Sequence, residues 1–169
     1  MNAIVIIDNN YAIGCEGALL YDLPGDLKHF ARMTRGKTMV MGRLTLASFP
    51  GGKPLPGRTN IVLTRQEDFA MEGVVAVHSR EELAEAVQGI PEDEVMLIGG
   101  ECLFNQLIDC CRTAYVTKVK ACAPADRFFP NLDQKSNWRL VGCGEEQEEN
   151  GWRYTICEYV NQAVQPLMG

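Results

Sequence analysis

Histidine is scarce in this chain, and the cysteines lack the spacing of a metal site. His29 and His78 are the only histidines, and the seven cysteines, at positions 15, 102, 110, 111, 122, 143 and 157, include no Cys-x-x-Cys pair. Structural zinc sites are built from closely spaced cysteines and histidines. We therefore predict no metal site. The odd number of cysteines favours reduced thiols, as in the cytoplasm, over a disulfide framework.

Long apolar runs and an excess of positive charge are also missing. The run at residues 3–7 is far too short to cross a membrane, and no basic segment precedes it as in a secretory signal. The formal net charge is −6, which disfavours nucleic acid or an anionic membrane surface as the main partner. We therefore expect a soluble, cytoplasmic protein that binds neither. Because the chain as a whole is negative, any bound anion must be held by arginines placed at the binding site.

The chain length suits one domain. A chain of 169 residues is hardly long enough for two domains, and one of this size buries roughly 70% of its unfolded surface. We assign residues 1–160 to a single domain. Residues 161–169 are interpreted as a loose C-terminal tail.

Short β-branched runs alternate with segments of helical periodicity. We predict strands at residues 3–7, 38–41, 59–64, 74–77, 94–98, 114–119, 138–143 and 152–160. Helices are predicted from Pro24, over 43–48, after Ser79 and after Gly100. Such alternation is typical of right-handed crossovers in a parallel sheet. The prediction is an α/β fold, with a mostly parallel, twisted, eight-stranded sheet, helices on both faces and an antiparallel C-terminal edge hairpin.

Polar residues and glycines gather where the predicted parallel strands end, which is where such sheets bind ligands. These residues are Arg43, Thr45, Thr64, Arg65, His78, Ser79, Gly99 and Gly100. Free N–H groups at helix starts bind phosphates, glycines allow close approach, and two arginines suit an additional 2′-phosphate. Each residue alone has a simpler explanation. A Gly-Gly pair is a common tight turn, and Ser79 is first of all a helix cap, with Glu82 at capping-box spacing.

An acid lies in the first turn of the helix that Pro24 begins. Leu27, Phe30 and Thr34 follow at the spacing of an apolar stripe that faces a core. The Asp26 carboxylate is therefore expected at the margin of that stripe. The helix dipole alone favours an acid at this position. Apolar neighbours would also desolvate it and raise its pKa, as at many functional sites. The pattern leaves both interpretations open.

Several short motifs follow one another along the chain. They are Ala12-Ile13-Gly14, Leu23-Pro24-Gly25-Asp26-Leu27 with Phe30, Val40-Met41-Gly42-Arg43 with Thr45, Pro54-Leu55-Pro56-Gly57-Arg58 with Asn60, Ile98-Gly99-Gly100, Thr117, and Asp126 with Phe129-Pro130. The ordered set, from about residue 3 to residue 160, resembles dihydrofolate reductase of the bacterial chromosomal type. Each motif is short, but the set is highly specific.

The resemblance implies reduction of 7,8-dihydrofolate to tetrahydrofolate by NADPH, in support of one-carbon metabolism and thymidylate synthesis. Hydride would reach C6 of the pterin, and N5 would take a proton from water. Asp26 is implied to hold the 2-amino group and N3, with Thr117 hydrogen-bonded behind it. Arg58 is implied to pair with the α-carboxylate of the glutamate tail. We expect a monomer that also binds antifolate inhibitors.

The resemblance also assigns residues to the site one position at a time. The catalytic group is Asp26, Tyr21, Thr117 and Leu19. The substrate-binding group is Ile4, Val5, Asp26, Leu27, Phe30, Phe49, Leu55, Arg58 and Thr117. The cofactor-binding group is Val5, Ile6, Ile13, Gly14, Leu19, Gly42, Arg43, Leu44, Thr45, Leu63, Thr64, Arg65, His78, Ser79, Ile98, Gly99, Gly100, Glu101, Cys102, Leu103 and Phe104.

Some positions depart from the commonest family pattern. Leu20-Tyr21 stands where many relatives have Pro-Trp, so a tyrosine hydroxyl is expected to replace the indole near an ordered water. Glu101 stands where some relatives have a basic residue, which leaves Arg43 and Arg65 as the main contacts for the 2′-phosphate.

Two alternative functions fit part of the same pattern. One is a reductase of the same fold that acts on a pyrimidine of the riboflavin pathway, and the other is a non-catalytic nucleotide-binding or thiol-bearing module. Asp26 together with Arg58 disfavours the first, because a pterin and a carboxylate tail need both. The intact Gly14, Asp26 and Gly99-Gly100 set disfavours the second.

Overall fold

The computed structural model describes residues 1–168 and contains one large sheet. Its strands and those of a small second sheet are β1 (Asn2–Ile7), β2 (Ala12–Gly14), β3 (Thr38–Gly42), β4 (Thr59–Leu63), β5 (Val74–Val77), β6 (Val95–Gly99), β7 (Thr113–Val119), β8 (Arg127–Phe128), β9 (Trp138–Cys143), β10 (Gln147–Glu149) and β11 (Trp152–Asn161). The large sheet runs β5-β4-β3-β6-β1-β7-β11, and both β9 and β10 pair with β11. Strands β1 and β3–β7 pair in parallel, whereas β11 is antiparallel to all its neighbours. The predicted α/β fold is confirmed.

Four helices connect the strands and cover both faces of the sheet. They are α1 (Pro24–Thr34), α2 (Arg43–Ala47), α3 (Arg80–Ala86) and α4 (Glu101–Leu107). Successive residues of β3 point to opposite faces. Val40 packs in one apolar cluster with Leu83 of α3 and Phe104 of α4. Met39 and Met41 pack in another, with residues of α1 and α2.

The helix α1 is less buried along its apolar stripe than its pattern predicts. Thr34 is fully buried, and Phe30 packs partly against the β3 cluster. Leu27, however, is 54% exposed. The stripe therefore meets the core only at its C-terminal end, and its N-terminal end is left open beside the sheet.

The C-terminal hairpin contains more structure than the sequence pattern predicts. The segment 145–151, interpreted as a turn, includes the short strand β10, which pairs with β11 from Gln147–Tyr154 to Glu149–Trp152. A disulfide links Cys143 to Cys157, with their Cα atoms 4.0 Å apart. The prediction that all thiols are reduced is therefore wrong for this pair. The two cysteines are direct cross-strand neighbours, a relation that the cysteine count could not reveal.

The segment interpreted as a loose tail is fastened to the domain over its described part. Asn161 still belongs to β11 and is buried. The backbone N–H of Gln162 donates to the Asn137 carbonyl, and that of Gln165 donates to the Asp109 carbonyl. Leu167 packs against the main apolar cluster. Gly169 lies outside the described residues. Across residues 1–168, no helix combines the length and apolarity that a membrane crossing requires.

Candidate active site

The carboxylate of Asp26 lies between α1 and the sheet. The Thr117 hydroxyl, on β7, donates to Asp26 Oδ1 at 2.6 Å. Burial raises the pKa of Asp26 above its ordinary value, while the Thr117 hydrogen bond and His29 act in the opposite direction and the charge of Glu149 adds to the rise. An acid that only capped the helix would remain in solvent. Its burial and its pKa favour a functional carboxylate.

A cleft of about 200 Å³ opens beside Asp26. It is lined by Ile6, Leu19, Tyr21, Asp22, Leu23, Asp26 and Leu27. Leu19 and Leu27 are 64% and 54% exposed, so two large apolar side chains face open space next to a partly buried acid. Ile6 is the cross-strand neighbour of Thr117. This arrangement suits a flat, mostly apolar ligand that carries hydrogen-bond donors at one end.

Tyr21 lines the cleft, but its hydroxyl is directed to a different acid. It donates to Asp8 Oδ2 at 2.8 Å, and burial together with this bond raises the Tyr21 pKa strongly. Asp8 is itself buried and also accepts from the backbone N–H groups of Asn10 and Ala12. Asp8 was missed from sequence because an acid that ends a strand reads as a turn residue.

A further cation lies where α1 ends. Arg58 donates through Nε to the Thr34 hydroxyl at 3.0 Å and through Nη1 to the Pro56 carbonyl at 2.8 Å. Partial burial and the nearby Arg35 lower the Arg58 pKa. The side chains of Phe30, Phe49 and Leu55 are half-buried around the β3 cluster. An arginine held by neutral acceptors keeps its charge available for an anion.

The loop between β1 and α1 is fixed at one point by the second, two-stranded sheet. Strand β2 pairs with β8, the Asp126 carboxylate accepts from the Glu16 N–H at 3.0 Å, and the Gly14 carbonyl accepts from the Asp126 N–H. Ile13, on β2, packs against the main apolar cluster. Leu19 follows on the same loop and reaches the cleft of Asp26.

The carboxyl ends of four parallel strands are aligned by their registers. Gly42 is paired with Leu63, Leu63 with Val77, and Met41 with Gly99. The residues that follow these strands therefore meet at one edge, as the sequence pattern predicts. They include Arg43 with Leu44 and Thr45, Thr64 with Arg65, His78 with Ser79, and Gly100 with Glu101 and Cys102.

At this edge, Gly99 and Gly100 form a turn beside Thr45 and Phe104 that we call the glycine cradle. The peptide bond between Gly99 and Gly100 is cis. A Cβ on Gly99, whose φ is +134°, would lie 3.4 Å from Thr45 Oγ1 and 3.5 Å from the Phe104 ring, and one on Gly100 would also lie 3.4 Å from Thr45 Oγ1. These are ordinary contact distances, but the φ of Gly99 is one that residues with a side chain rarely adopt. Without a Cβ at either position, the strand-to-helix turn can approach a phosphate closely.

The same edge carries free positive charge. Arg43 and Arg65 are exposed, and within residues 1–168 neither belongs to a salt bridge. Ser79 caps α3 by accepting from the Glu82 N–H, and Glu82 accepts from the His78 N–H at 2.6 Å. The predicted cap at Ser79 is thus confirmed. His78 Nδ1 is 3.0 Å from the Thr64 carbonyl, which joins the ends of β4 and β5.

The remaining predicted site residues divide between the core and the surface. Ile4, Leu103 and Phe104 are buried, whereas Val5, Ile98 and Leu63 are partly exposed. Leu44 is 60% exposed, and exposed Cys102 accepts from Gln106 Nε2. Glu101 Oε2 is 4.0 Å from Arg127 Nε, which partly offsets its charge near the glycine cradle. Among residues 1–168, no cluster of His, Cys, Asp and Glu side chains is arranged to hold a metal ion.

A second hollow shares none of its lining residues with the cleft of Asp26. It measures about 370 Å³ and is formed by β9, β11 and Tyr115 around the Cys143–Cys157 disulfide. Its lining contains one carboxylate, Glu158, which is exposed. We therefore place the candidate active site at the smaller cleft, where a partly buried acid and apolar side chains converge.

Known proteins match this chain over most of its length. The family model for dihydrofolate reductase matches residues 1–161. The chain belongs to the dihydrofolate reductase family. Dihydrofolate reductase of Staphylococcus aureus is 39% identical over 164 residues, covering 96% of this chain and 98% of that one. The Bacillus subtilis enzyme is 37% identical over 158 residues, covering 92% and 91%.

A solved structure of the family supports the fold in three dimensions. Dihydrofolate reductase from Enterococcus faecalis, complexed with NADP(H) and RAB-propyl, is similar with a TM-score of 0.84 and 37% sequence identity. The match covers 95% of each chain. The resemblance first seen in short motifs therefore extends across the whole domain.

Proposed function

We propose that this protein is an oxidoreductase that reduces 7,8-dihydrofolate to tetrahydrofolate with NADPH, and so supplies one-carbon metabolism and thymidylate synthesis. The observation that carries the proposal is the partly buried Asp26 carboxylate, bonded to Thr117 and open to an apolar cleft. Membership of the dihydrofolate reductase family supports the choice of substrate.

The substrate fits the charges of the site. Asp26 accepts hydrogen bonds from the 2-amino group and N3 of the pterin, and Thr117 orients the carboxylate from behind. Ile4, Val5, Leu27 and Phe30 contact the ring, and Phe49 and Leu55 contact the benzoyl group. Thr34 and Pro56 accept hydrogen bonds from Arg58 and hold its side chain in place. The Arg58 guanidinium pairs with the α-carboxylate of the glutamate tail.

The edge of the sheet fits a dinucleotide with an extra phosphate. The glycine cradle at Gly99–Gly100 admits the pyrophosphate, and Thr45 lies beside it. Arg43 and Arg65, with Thr64, His78 and Ser79, hold the 2′-phosphate. The other contacts come from Val5, Ile6, Ile13, Gly14, Leu19, Gly42, Leu44, Leu63, Ile98, Glu101, Cys102, Leu103 and Phe104. When bound, NADPH supplies the hydride that adds to C6 of the pterin.

The protein's own groups then orient the pterin and control water. The Asp26 carboxylate fixes the ring and stabilises positive charge on it when N5 takes a proton from water. Leu19, on the loop anchored by Asp126, excludes bulk water from the cleft. Tyr21 narrows the cleft on the same side, and its hydroxyl oxygen keeps a lone pair to accept a hydrogen bond from water.

The setting of the reaction follows from the same observations. We propose a monomer in the cytoplasm, where five of the seven cysteines can remain thiols. Inhibitors that copy the pterin's amino groups would bind the Asp26 cleft as antifolates.

The decisive experiment is turnover by the purified protein, followed as loss of NADPH absorbance with dihydrofolate. Asp26→Asn keeps the shape but removes the charge, and we expect kcat/KM to fall about 100-fold or more. Asp93→Asn, at an exposed acid on a turn before β6, is the matched control and should leave turnover unchanged.

Two results would reject the proposal. One is absence of turnover in a folded, wild-type sample that binds NADPH. The other is turnover with a riboflavin-pathway pyrimidine in place of dihydrofolate, which would favour the alternative reductase.

A further inference from the structure

The first turn of α1 is held by a carboxylate from the far end of the chain. Glu149, on β10, accepts from the Gly25 N–H through both oxygens, at 2.8 and 3.0 Å. The Tyr154 hydroxyl donates to the same Glu149 carboxylate at 2.5 Å. Helix α1 has no cap from its own sequence, because Leu23 occupies the N-cap position. Glu149 supplies that cap from another element.

Gly25 leaves the space that this contact needs. A Cβ at Gly25 would lie 2.5 Å from Glu149 Oε1 and 2.8 Å from the Tyr154 hydroxyl. Real side chains do not pack at such distances, so any other residue here would push the carboxylate away. The close approach of Glu149 therefore depends on the glycine immediately before Asp26.

The rest of the hairpin tip supports the same region. Asn150 Nδ2 donates to the Asp22 carbonyl at 2.9 Å. The rings of Tyr21 and Trp152 meet edge to face, with centroids 5.0 Å apart. Segment 21–25 is thus held at three points by residues 149–152 and 154.

The groups that face Asp26 come from four elements and from the loop before α1. On α1 itself, His29 lowers the Asp26 pKa, and Thr117 on β7 also lowers it through its hydrogen bond. Glu149 on β10 raises the pKa, although burial contributes more. Tyr154 on β11 is close enough for the charge of Asp26 to contribute to the rise of its own pKa, after burial and Glu149. Asp22 lines the same cleft.

We propose that Glu149 is a positioning residue for the reaction, which holds the first turn of α1 through Gly25 and Tyr154 and thereby sets the place and the charge environment of Asp26. This inference rests on the proposed function, because it gives Asp26 its role. Glu149 touches neither the pterin nor the cofactor in this role; it acts through the helix that carries the acid.

The test compares Glu149→Gln with Glu148→Gln. Glu148 is the neighbour on the same strand, faces the opposite side, and forms an exposed salt bridge with Arg153. The two variants therefore lose the same charge from adjacent positions. Carboxyl NMR of the protein without ligand reports the titration midpoint of Asp26, and the pH profile of kcat/KM for dihydrofolate reports its effect on the reaction.

We expect Glu149→Gln to move both the Asp26 midpoint and the kcat/KM profile to lower pH, because one negative charge that opposes ionisation is gone. Glu148→Gln should leave both at the wild-type position. A glutamate whose charge does not act on Asp26 would leave the midpoint unchanged when replaced by an amide of the same shape. Equal midpoints in wild type and Glu149→Gln, or equal shifts in the two variants, overturn the proposal.

A second pair of variants tests the hydrogen bonds. Glu149→Ala and Gly25→Ala remove the same contact from opposite sides, and each should lower kcat/KM by about fivefold. The two effects should not add in the double variant, because they break one interaction. Full additivity overturns the proposal.

Failure of the proposed function gives a different result. The NMR midpoint is measured without substrate, so it responds to Glu149 even in a protein that does not reduce dihydrofolate. Absence of wild-type turnover with a normal midpoint shift rejects the function alone. Normal turnover without a midpoint shift rejects the role of Glu149 alone.

Discussion

Asp26 and Asp109 are two partly buried aspartates with opposite surroundings. Asp109 accepts from Asn137 Nδ2 at 2.9 Å, from Trp138 Nε1 at 3.0 Å and from Lys135 Nζ at 3.0 Å. Within residues 1–168, the carboxylate of Asp26 accepts one hydrogen bond, from Thr117. Burial raises the pKa of both, but at Asp109 the donors outweigh burial and the net shift is downward.

The difference separates a carboxylate that serves the fold from one that serves a ligand. The lone pairs of Asp109 are largely used, and its backbone carbonyl also accepts from Asn161 and Gln165. It joins the end of α4 to the C-terminal strands. Asp26 has lone pairs that accept no hydrogen bond within residues 1–168, because Thr117 donates to Oδ1 alone. Carboxylate lone pairs that lack a donor in a partly buried place destabilise the folded state. A ligand with two adjacent N–H donors can satisfy them.

Of the changes that test this comparison, removal of the Asp109 carboxylate should have the largest effect, and it should act on stability. Asp109→Ala leaves three donors without their acceptor and should lower the free energy of unfolding by about 2 kcal/mol. Denaturant titration measures this, with exposed Asp93→Ala as the control. Because the folded-state pKa of Asp109 is lowered, its contribution is present above the ordinary aspartate pKa and is lost as pH falls through the lowered value. The deficit of the variant should therefore shrink in acid, and a constant deficit would contradict the comparison.

A smaller effect is expected when Asp26 loses its single donor. Thr117→Val keeps the shape of the side chain but removes the hydroxyl, so the Asp26 pKa should rise further and kcat/KM for dihydrofolate should fall about tenfold. Steady-state kinetics and carboxyl NMR give the two quantities. Thr117→Ser restores a hydroxyl and should recover most of the activity. If the valine variant is as active as wild type, Asp26 does not depend on this bond.

The smallest effect concerns the stability cost of Asp26. Since its folded-state pKa is raised, the stability that Asp26 contributes is full below the ordinary aspartate pKa and is lost as pH rises through the raised value. Asp26→Asn cannot ionise, so it should increase Tm by about 2 °C at neutral pH. The gain should vanish near pH 3, roughly one unit below the ordinary pKa. Calorimetry at both values checks the sign, and a lower Tm at neutral pH would show that the charged form stabilises the fold.

The sheet could be predicted from sequence because its strands are buried on both faces. Runs such as 38–41 and 95–98 are continuously apolar, and glycine or polar residues end each of them. The phosphate-suited edge followed from the rule that parallel strands end together. Asp26 and Arg58 could be proposed as a pair only through the family's motifs, because α1 alone explains an acid at its start.

The contacts that could not be predicted join distant segments at single points. The Tyr21 hydroxyl, expected near a water, also donates to Asp8, a contact that no local pattern indicates. Glu149 lies in segment 145–151, which contains four glutamates, and the sequence does not indicate which of them contacts α1. Strand alternation directs Glu148 to Arg153 and Glu149 to Gly25. A one-residue shift of that short strand would exchange their roles, and turn composition does not specify its register.

The cap that Glu149 provides has a consequence for biosynthesis. Gly25 leaves the ribosome 124 residues before its partner, so α1 is made and remains uncapped while almost all the parallel sheet is being translated. Its first turn can be completed only after β10 and β11 have been released and β11 has paired with β7. A nascent chain can thus assemble its cofactor edge early, whereas the acid that holds the pterin is fixed in place among the last steps of folding.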